Sequence, residues 1–416
     1  MKKVISLIIS LVIFCSICVP AFAQDSYFSD EQIQYYKELG LQGTTVNVYN
    51  WGEYVSDGSD GSMDVVSEFE KLTGAKVNYS NFESNENMYS KLSGGGVSYD
   101  VVVPSDYMVE RLIDEDLLIE LDYSNIPNFE LVREDCKNLY FDPEQKYSVC
   151  FNTGTTILIY NKNLVSEAPT SWSVLWDEQY RDNVLMFNNP RDAFAIAQAM
   201  LGIDLNSVNE QDWVNCANLL AKQKDAVNPV YVMDEIFNLM ESGEYAFATY
   251  YAGDYLLMLD NNEDLGYCFP EEGVNSFYDA FCIPKCCQNK AGAEAFINFM
   301  HEPQVAFNNQ EYIYYASANV SAQNNEESSL YGSDVVYPQN IKSQSFENLP
   351  QNILELQNNL WSQVKSGKLS ESSQAREQEI YVASACVAGL VVIVVVYKLI
   401  ANAKKRKEQD LSDLYR

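Results

Sequence analysis

The sequence predicts an α/β protein built as two lobes. Three observations carry this. Strand-like and helix-like segments alternate along most of the chain. Gly74, Pro104 and Gly202 each stand where one periodic segment stops. The chain has 416 residues, and about 350 remain when the terminal segments are set aside, more than one sheet with its covering helices usually holds.

Residues 24–43 are polar, with Ser29 placed to cap a short helix over 30–39. Val46 and Val48 then alternate with polar neighbours as a strand does. Met63, Val66, Phe69 and Leu72 recur at helical spacing, and Gly74 stops that helix. A second strand is read over 75–79. A third is read over 99–103, buried by its valine run; Pro104 ends it, and Ser105 can cap the next helix. Further strands are expected over 156–160, 184–187 and 245–250. Helices are expected over 191–201, ended by Gly202, and over 291–300 and 302–310. The stretch 364–379 is rich in Ser, Glu, Gln and Lys and reads as a helix end followed by a tether.

Both termini carry topology signals. Lys2 and Lys3 precede an apolar run and then Ala21-Phe22-Ala23, the layout of a secretory signal peptide over 1–23. Neither Cys15 nor Cys18 sits in a convincing lipid-attachment motif. Residues 381–400 form an apolar run of about the length that spans a bilayer, and Lys404, Lys405, Arg406 and Lys407 follow. The expectation is a transmembrane helix with a cytoplasmic C-terminus, anchoring the protein in the lipid bilayer on the outer face of the cell membrane.

Composition narrows the chemistry. With 27 basic and 59 acidic residues the formal charge is −32, so a nucleic-acid partner, which needs a basic face, is excluded and cations are attracted. The chain has one histidine. His301, beside Glu302-Pro303, reads as a surface residue at a helix start. No phosphate loop, GxSxG or HExxH occurs, so catalysis, a metal site and a cofactor are not expected. Of ten cysteines, seven lie between the two terminal hydrophobic segments: Cys136, Cys150, Cys216, Cys268, Cys282, Cys286 and Cys287. Their odd number and irregular spacing are not a disulfide framework. They read as small packing residues, with room for one or two disulfides.

Aromatic and acidic residues gather at predicted strand ends. Trp51-Gly52-Glu53-Tyr54 follows the first strand and Ser105-Asp106-Tyr107 the third. Asn188-Asn189-Pro190-Arg191-Asp192 follows the strand ending at Phe187. Tyr250-Tyr251 ends another, and Phe277-Tyr278-Asp279 precedes Ala280. Open α/β sheets bind ligands beyond the carboxyl ends of their strands. Aromatic faces suit an alkyl chain and attract ammonium, each on the order of 1–2 kcal/mol when desolvated. Carboxylates accept charge-assisted hydrogen bonds from the amine ends.

At these residues the chain resembles the spermidine/putrescine-binding proteins of bacterial polyamine transporters. Tyr49-Asn50-Trp51-Gly52-Glu53-Tyr54, Phe82-Glu83-Ser84-Asn85-Glu86-Asn87-Met88-Tyr89 and Tyr99-Asp100-Val101-Val102-Val103-Pro104-Ser105 match in order. Thr170-Ser171-Trp172, with Leu175-Trp176 and Tyr180, continues the match. The resemblance implies a two-lobed periplasmic-binding-protein fold of type II-like topology with hinge segments, a polyamine held in a cleft between the lobes, and delivery to the permease of an ABC transporter by a monomer. It implies that Trp51 and Tyr54 flank the chain, that Ser105 and Tyr107 line one wall, and that Asp192 holds a terminal amine. Tyr251 and Phe277 stand where the family has Trp, Asp279 where it has an acid for a second amine, and Tyr315 where it has a pocket tyrosine. Glu347 aligns with a family Gln. Asn189 stands where the family commonly has Asp, which removes one acid and leaves spermidine against putrescine open.

The implied division is 24–44 as an N-terminal extension, 45–155 with 279–325 as one lobe, and 156–278 with 326–368 as the other. A tether over 369–380, the span over 381–400 and a tail over 401–416 complete it. Two alternatives stay open at this point. Tyr250-Tyr251 and Tyr314-Tyr315 are phenolate pairs that would suit ferric iron, and another cationic solute would suit the same acids. A membrane-tethered hydrolase using carboxylates needs no histidine.

Overall fold

Local signals in the sequence become element ends in the computed structural model, which describes residues 26–369. Ser29 and Gln32 form a capping box that starts the helix Asp30–Glu38. Gly74 (φ 69°) closes the helix Val65–Thr73, and Gly202 (φ 64°) closes Pro190–Leu201; both adopt the left-handed conformation that glycine enters without a Cβ penalty. The strands in chain order are β1 (Thr45–Trp51), β2 (Lys76–Phe82), β3 (Val101–Val102), β4 (Ser148–Asn161), β5 (Val184–Phe187), β6 (Val230–Val232), β7 (Phe247–Tyr251), β8 (Leu265–Cys268), β9 (Val274–Cys282), β10 (Ala316–Ser317) and β11 (Ser343–Ser345).

The chain divides into two units. Unit 1 comprises the residues up to Gly154 together with Phe277–Gln339; unit 2 comprises Thr155–Ser276 and the residues from Asn340 onward. The chain passes from one to the other within β4 and within β9. The last passage falls at 339/340 rather than at the expected 325/326. Residues 326–338 stay with unit 1 because Ser328 and Tyr337 bond Gln310, on the helix Pro303–Ile313.

In unit 1, β1 runs parallel to β2 and to β3, and β3 meets β9 antiparallel at Val102–Cys282. Short β10 pairs antiparallel with β4. Phe69 from one covering helix packs on Phe296 and Phe299 from another, with ring centroids 5.2 and 5.4 Å apart. The N-terminal extension belongs to this unit. Tyr36 is fully buried against Phe299, and its hydroxyl donates to Glu302 at 2.7 Å.

In unit 2, β5 lies parallel to β6 and to β7. The second half of β4 pairs antiparallel with β7 and with β8. The helix Glu210–Val227, absent from the sequence-based expectation, packs against Pro190–Leu201 and Gln351–Lys365. Parallel strands buried on both faces explain why β5 is apolar at every position.

Two expectations require correction. The fold was expected to include a transmembrane helix over 381–400, and hence an anchored chain with a cytoplasmic C-terminus. Among the described residues no helix is long and apolar enough to cross a membrane, and 381–400 lies outside them. The described structure therefore gives no support to the anchor or to the localisation built on it, and neither is carried further. The signal peptide (1–23), nearly all of the tether and the tail also lie outside the described residues. His301 is the second correction. It is only 1% exposed, packs edge-on to Phe281 at 6.1 Å, and has no hydrogen-bond partner on either ring nitrogen. It caps Lys290–Met300 immediately before Pro303–Ile313 begins, and these two helices turn the corner inside the protein. Burial lowers its pKa to about 4.

Candidate ligand-binding site

On unit 1 the site is assembled from the ends of β1, β3 and β9. Glu53 takes a left-handed φ of 49° just after β1, an uncommon conformation for a side-chain-bearing residue. That turn delivers Tyr54, whose hydroxyl donates to Asp279 Oδ2 at 2.6 Å. Ser105 follows β3 and forms an antiparallel bridge with Asp279; its hydroxyl donates to Asp279 Oδ1 at 2.7 Å. Ser105 therefore occupies the N-cap position of the helix Asp106–Asp114 without making a side-chain cap bond, a departure from its expected role. The Tyr107 amide bonds the Asp106 carboxylate instead, at 2.8 Å.

Aromatic rings stand around this acid. Tyr54 meets Tyr315 edge-on at 5.5 Å and Phe151 at 5.7 Å, and Tyr315 lies 6.2 Å from Phe277. Tyr315 is presented by Tyr314, the helix C-cap at φ 58°. Phe277 lies directly over Gly154, where a Cβ would come within 2.3 Å of Phe277 Cζ, so glycine is required for that approach. Tyr107 joins through Asn85, which accepts from the Ser105 amide at 3.2 Å and donates to the Tyr107 hydroxyl at 3.1 Å. Trp51 packs on Phe82 at 4.5 Å, and its indole nitrogen is buried without a partner.

Asp279 is 4% exposed. Burial pushes its pKa up to about 6, against the opposing effect of the Tyr54 and Ser105 hydroxyls. At neutral pH it is thus mainly ionised. Among the described residues the ion pairs involve other acids, and its own compensation comes from two neutral hydroxyls. Nearby Asp106 is wholly buried. Burial first, and then the Asp279 charge, hold its carboxyl well above the usual range, against the amides of Tyr107 and Tyr278. Sequence reasoning passed over Asp106 and Asn85 although both lie inside the quoted motifs. Nothing in their local pattern distinguishes a buried acid or amide from an exposed helix cap.

On unit 2 the Tyr251 hydroxyl donates to Asp192 Oδ2 at 2.9 Å, and Tyr250 donates to Asp234 at 2.9 Å. Phe187 packs against Tyr250 and Tyr251 at 5.7 and 5.2 Å. Burial, then Asp192, raises the Tyr251 pKa far above its ordinary value. Asn189 is the N-cap of Pro190–Leu201: its side-chain oxygen accepts from the Arg191 amide at 2.9 Å. Glu347 is exposed. Its backbone bonds Asn206 and Arg191, at 2.8 and 3.2 Å, which brings the Glu347 segment to the start of the helix that carries Asp192. Asp234 and Phe187 were not singled out from sequence.

Each unit thus carries an acid bonded to tyrosine hydroxyl and bordered by rings, the equipment for holding an organic cation rather than for transforming one. Residues 64–334 match the bacterial extracellular solute-binding proteins. The chain belongs to that family. It is 31% identical over 308 residues to the spermidine/putrescine-binding periplasmic protein of Escherichia coli, a match covering 73% of this chain and 86% of the relative. It is 28% identical to the putrescine-binding periplasmic protein PotF of the same organism, covering 79% and 94%. The solved spermidine/putrescine ABC transporter substrate-binding protein of Streptococcus pneumoniae superposes with a TM-score of 0.68 at 32% identity, covering 78% of this chain and 99% of that one. The family resemblance read from the motifs is borne out, and so is the two-lobed binding-protein fold. This solute-binding protein is not an enzyme, which sets the hydrolase alternative aside. The relatives are periplasmic by name, where the sequence suggested a membrane-anchored chain.

Proposed function

We propose that this solute-binding protein captures a linear polyamine, spermidine or putrescine, and delivers it to the permease of an ABC transporter. The observation that carries this reading is Asp279. It is a buried carboxylate whose charge is met by two hydroxyls and whose surroundings are rings. A desolvated anion of this kind is costly to maintain, and an ammonium supplies the missing counter-charge while its methylene chain lies on Tyr54, Tyr315 and Phe277. Relatives named for spermidine and putrescine support the same ligand class. On unit 2 we assign Asp192 with Tyr251 as a second ammonium receptor. Asn189, a neutral amide, contributes no charge, and its oxygen is taken up in capping a helix.

Ferric iron finds less support. Burial raises the pKa of both Tyr250 and Tyr251, and both hydroxyls donate to acids, whereas iron needs phenolates.

Titration calorimetry with putrescine and with spermidine tests the reading. Saturable heat is expected for one or both at pH 7. Affinity should weaken about tenfold between pH 7 and pH 5, because protonation of Asp279 near pH 6 removes the acceptor charge. Absence of heat with either amine, alongside heat with an uncharged solute, would sink the assignment.

A further inference from the structure

Two cysteines of unit 1 that play no part in the ligand site are strapped together by backbone. Cys136 ends the short helical turn Glu134–Cys136. The turn is tied to residues 316–318: the Arg133 amide donates to the Ala318 carbonyl at 2.8 Å, and its guanidinium donates to the Ser317 carbonyl at 3.1 Å. The same three residues are tied to β4, where Ser317 pairs with Asn152 and the Ala318 amide donates to the Phe151 carbonyl at 2.9 Å. That strap sets Cys136 against Cys150, the third residue of β4. Both are thiols in the structure and both are buried, and the Cys150 thiol donates to the Asn152 carbonyl at 3.8 Å. The intervening loop is already folded back on itself. Asp142 accepts from the amides of Lys146, Tyr147 and Ser148, and Phe141 inserts into the core.

We propose that Cys136 and Cys150 are a redox pair that closes to a disulfide, sealing the loop 137–147 onto β4. The oxidant is an organic disulfide such as glutathione disulfide. The Cys136 thiolate attacks one sulfur and releases one glutathione thiolate. Cys150 then loses its proton and attacks the Cys136 sulfur of the mixed disulfide, releasing the second glutathione. Two protein thiols are oxidised, one disulfide is reduced to two thiols, and the two protons pass to the glutathiones.

The microenvironment assigns the order of attack. The Cys150 thiol and then the Arg133 cation favour a Cys136 thiolate and lower its pKa despite burial. Burial, with a neighbouring acid beside each, pushes Cys216, Cys268 and Cys287 up to about 12. The family is extracellular, a setting in which such bonds persist. Sequence spacing could not select this pair from seven cysteines, because the strap that joins its members comes from residues far along the chain.

The full chain, refolded in a glutathione redox buffer, alkylated in denaturant and digested, should yield one cross-linked peptide pair joining Cys136 to Cys150. Its mass should be two hydrogens below the sum of the reduced peptides, with Cys216 and Cys282 alkylated. Recovery of Cys136 and Cys150 alkylated as fully as in a reduced control overturns the proposal, as does a cross-link from either to another cysteine. The oxidised protein should also melt roughly 5–10 °C above the reduced protein. That difference should vanish in Cys150→Ser, or in Cys136→Ala should the first variant not fold. A difference that persists in the variant equally removes the pair.

Discussion

Two buried carboxylates in unit 1 show how the same group serves two ends. Asp100, fully buried, sits where the chain enters β3. Its Oδ2 accepts the Asn47 amide and side chain at 2.8 and 3.0 Å, and its Oδ1 accepts the amides of Gln288 and Asn289 at 2.8 and 2.9 Å. Burial raises its pKa, but the three backbone donors outweigh burial and the net shift is downward. Asp279 has two hydroxyl donors in place of four N–H donors, and burial prevails. Backbone amides are fixed by the fold and cannot turn away, so they make an acid structural. An acid left with a partial complement of donors is held ready for a charge from outside.

The largest effect expected from this contrast is on Asp100. Asp100→Ala strands three backbone amides from two distant segments and leaves a cavity where a fully buried side chain stood, and should lower stability by about 2–4 kcal/mol. The urea midpoint of the unit 1 transition measures this, and ligand affinity in the surviving folded fraction should be unchanged. A loss below about 1 kcal/mol would mean that the amides find other partners and that the two acids differ less than their donors suggest.

The second effect separates binding from stability at Asp279. Asp279→Asn keeps an oxygen for Tyr54 and removes the charge. Polyamine affinity should fall about 30–150-fold, equivalent to about 2–3 kcal/mol. Stability of the ligand-free protein should move the other way. The folded pKa of about 6 lies above the unfolded value, so the native state binds the proton more tightly, and the ionised side chain costs stability at every pH above 6. The Asn variant should therefore be more stable by about 2–3 kcal/mol at pH 7. That advantage should shrink as the pH falls through 6 and disappear below the unfolded value of 3.8. Urea unfolding of both proteins between pH 7 and pH 4 gives the difference curve. His301 contributes equally to both proteins and cancels: its folded pKa of about 4 lies below the unfolded 6.5, so its stability contribution is present above 6.5 and lost towards 4. A variant no more stable than the parent at pH 7 would show that Asp279 is not under electrostatic strain.

Much of the fold was legible because its signals are local. Gly74, Gly202 and Ser29 act within one helical turn of where they stand, and the apolar run Val184–Phe187 became β5 with the same bounds. Which aromatic and acidic residues lie at strand ends was legible for the same reason. Their contacts were not: Tyr54 and Asp279 are 225 residues apart, and no periodicity joins them. Local reading misled where a residue had two possible partners. Ser105 stands at an N-cap, yet its hydroxyl turns to Asp279. Asn189 reads as a lost acid, but it is a helix cap. His301 lies beside a proline at a helix start, a pattern common on surfaces, and is buried because two helices meet there.

The smallest effect tests whether the Tyr54 hydroxyl or the Tyr54 ring matters more to Asp279. Tyr54→Phe keeps the packing on Tyr315 and Phe151 and removes one of the two donors. That hydroxyl lowers the Asp279 pKa, so its loss should raise the pKa further and move the midpoint of pH-dependent polyamine binding above 6. At pH 7 the affinity loss should be about 1 kcal/mol, roughly fivefold, and it should grow as the pH falls. Ser105→Ala removes the other donor without touching a ring and should shift the midpoint in the same direction. If Tyr54→Phe weakens binding equally at pH 8 and pH 6, the hydroxyl contacts the ligand itself rather than tuning the acid.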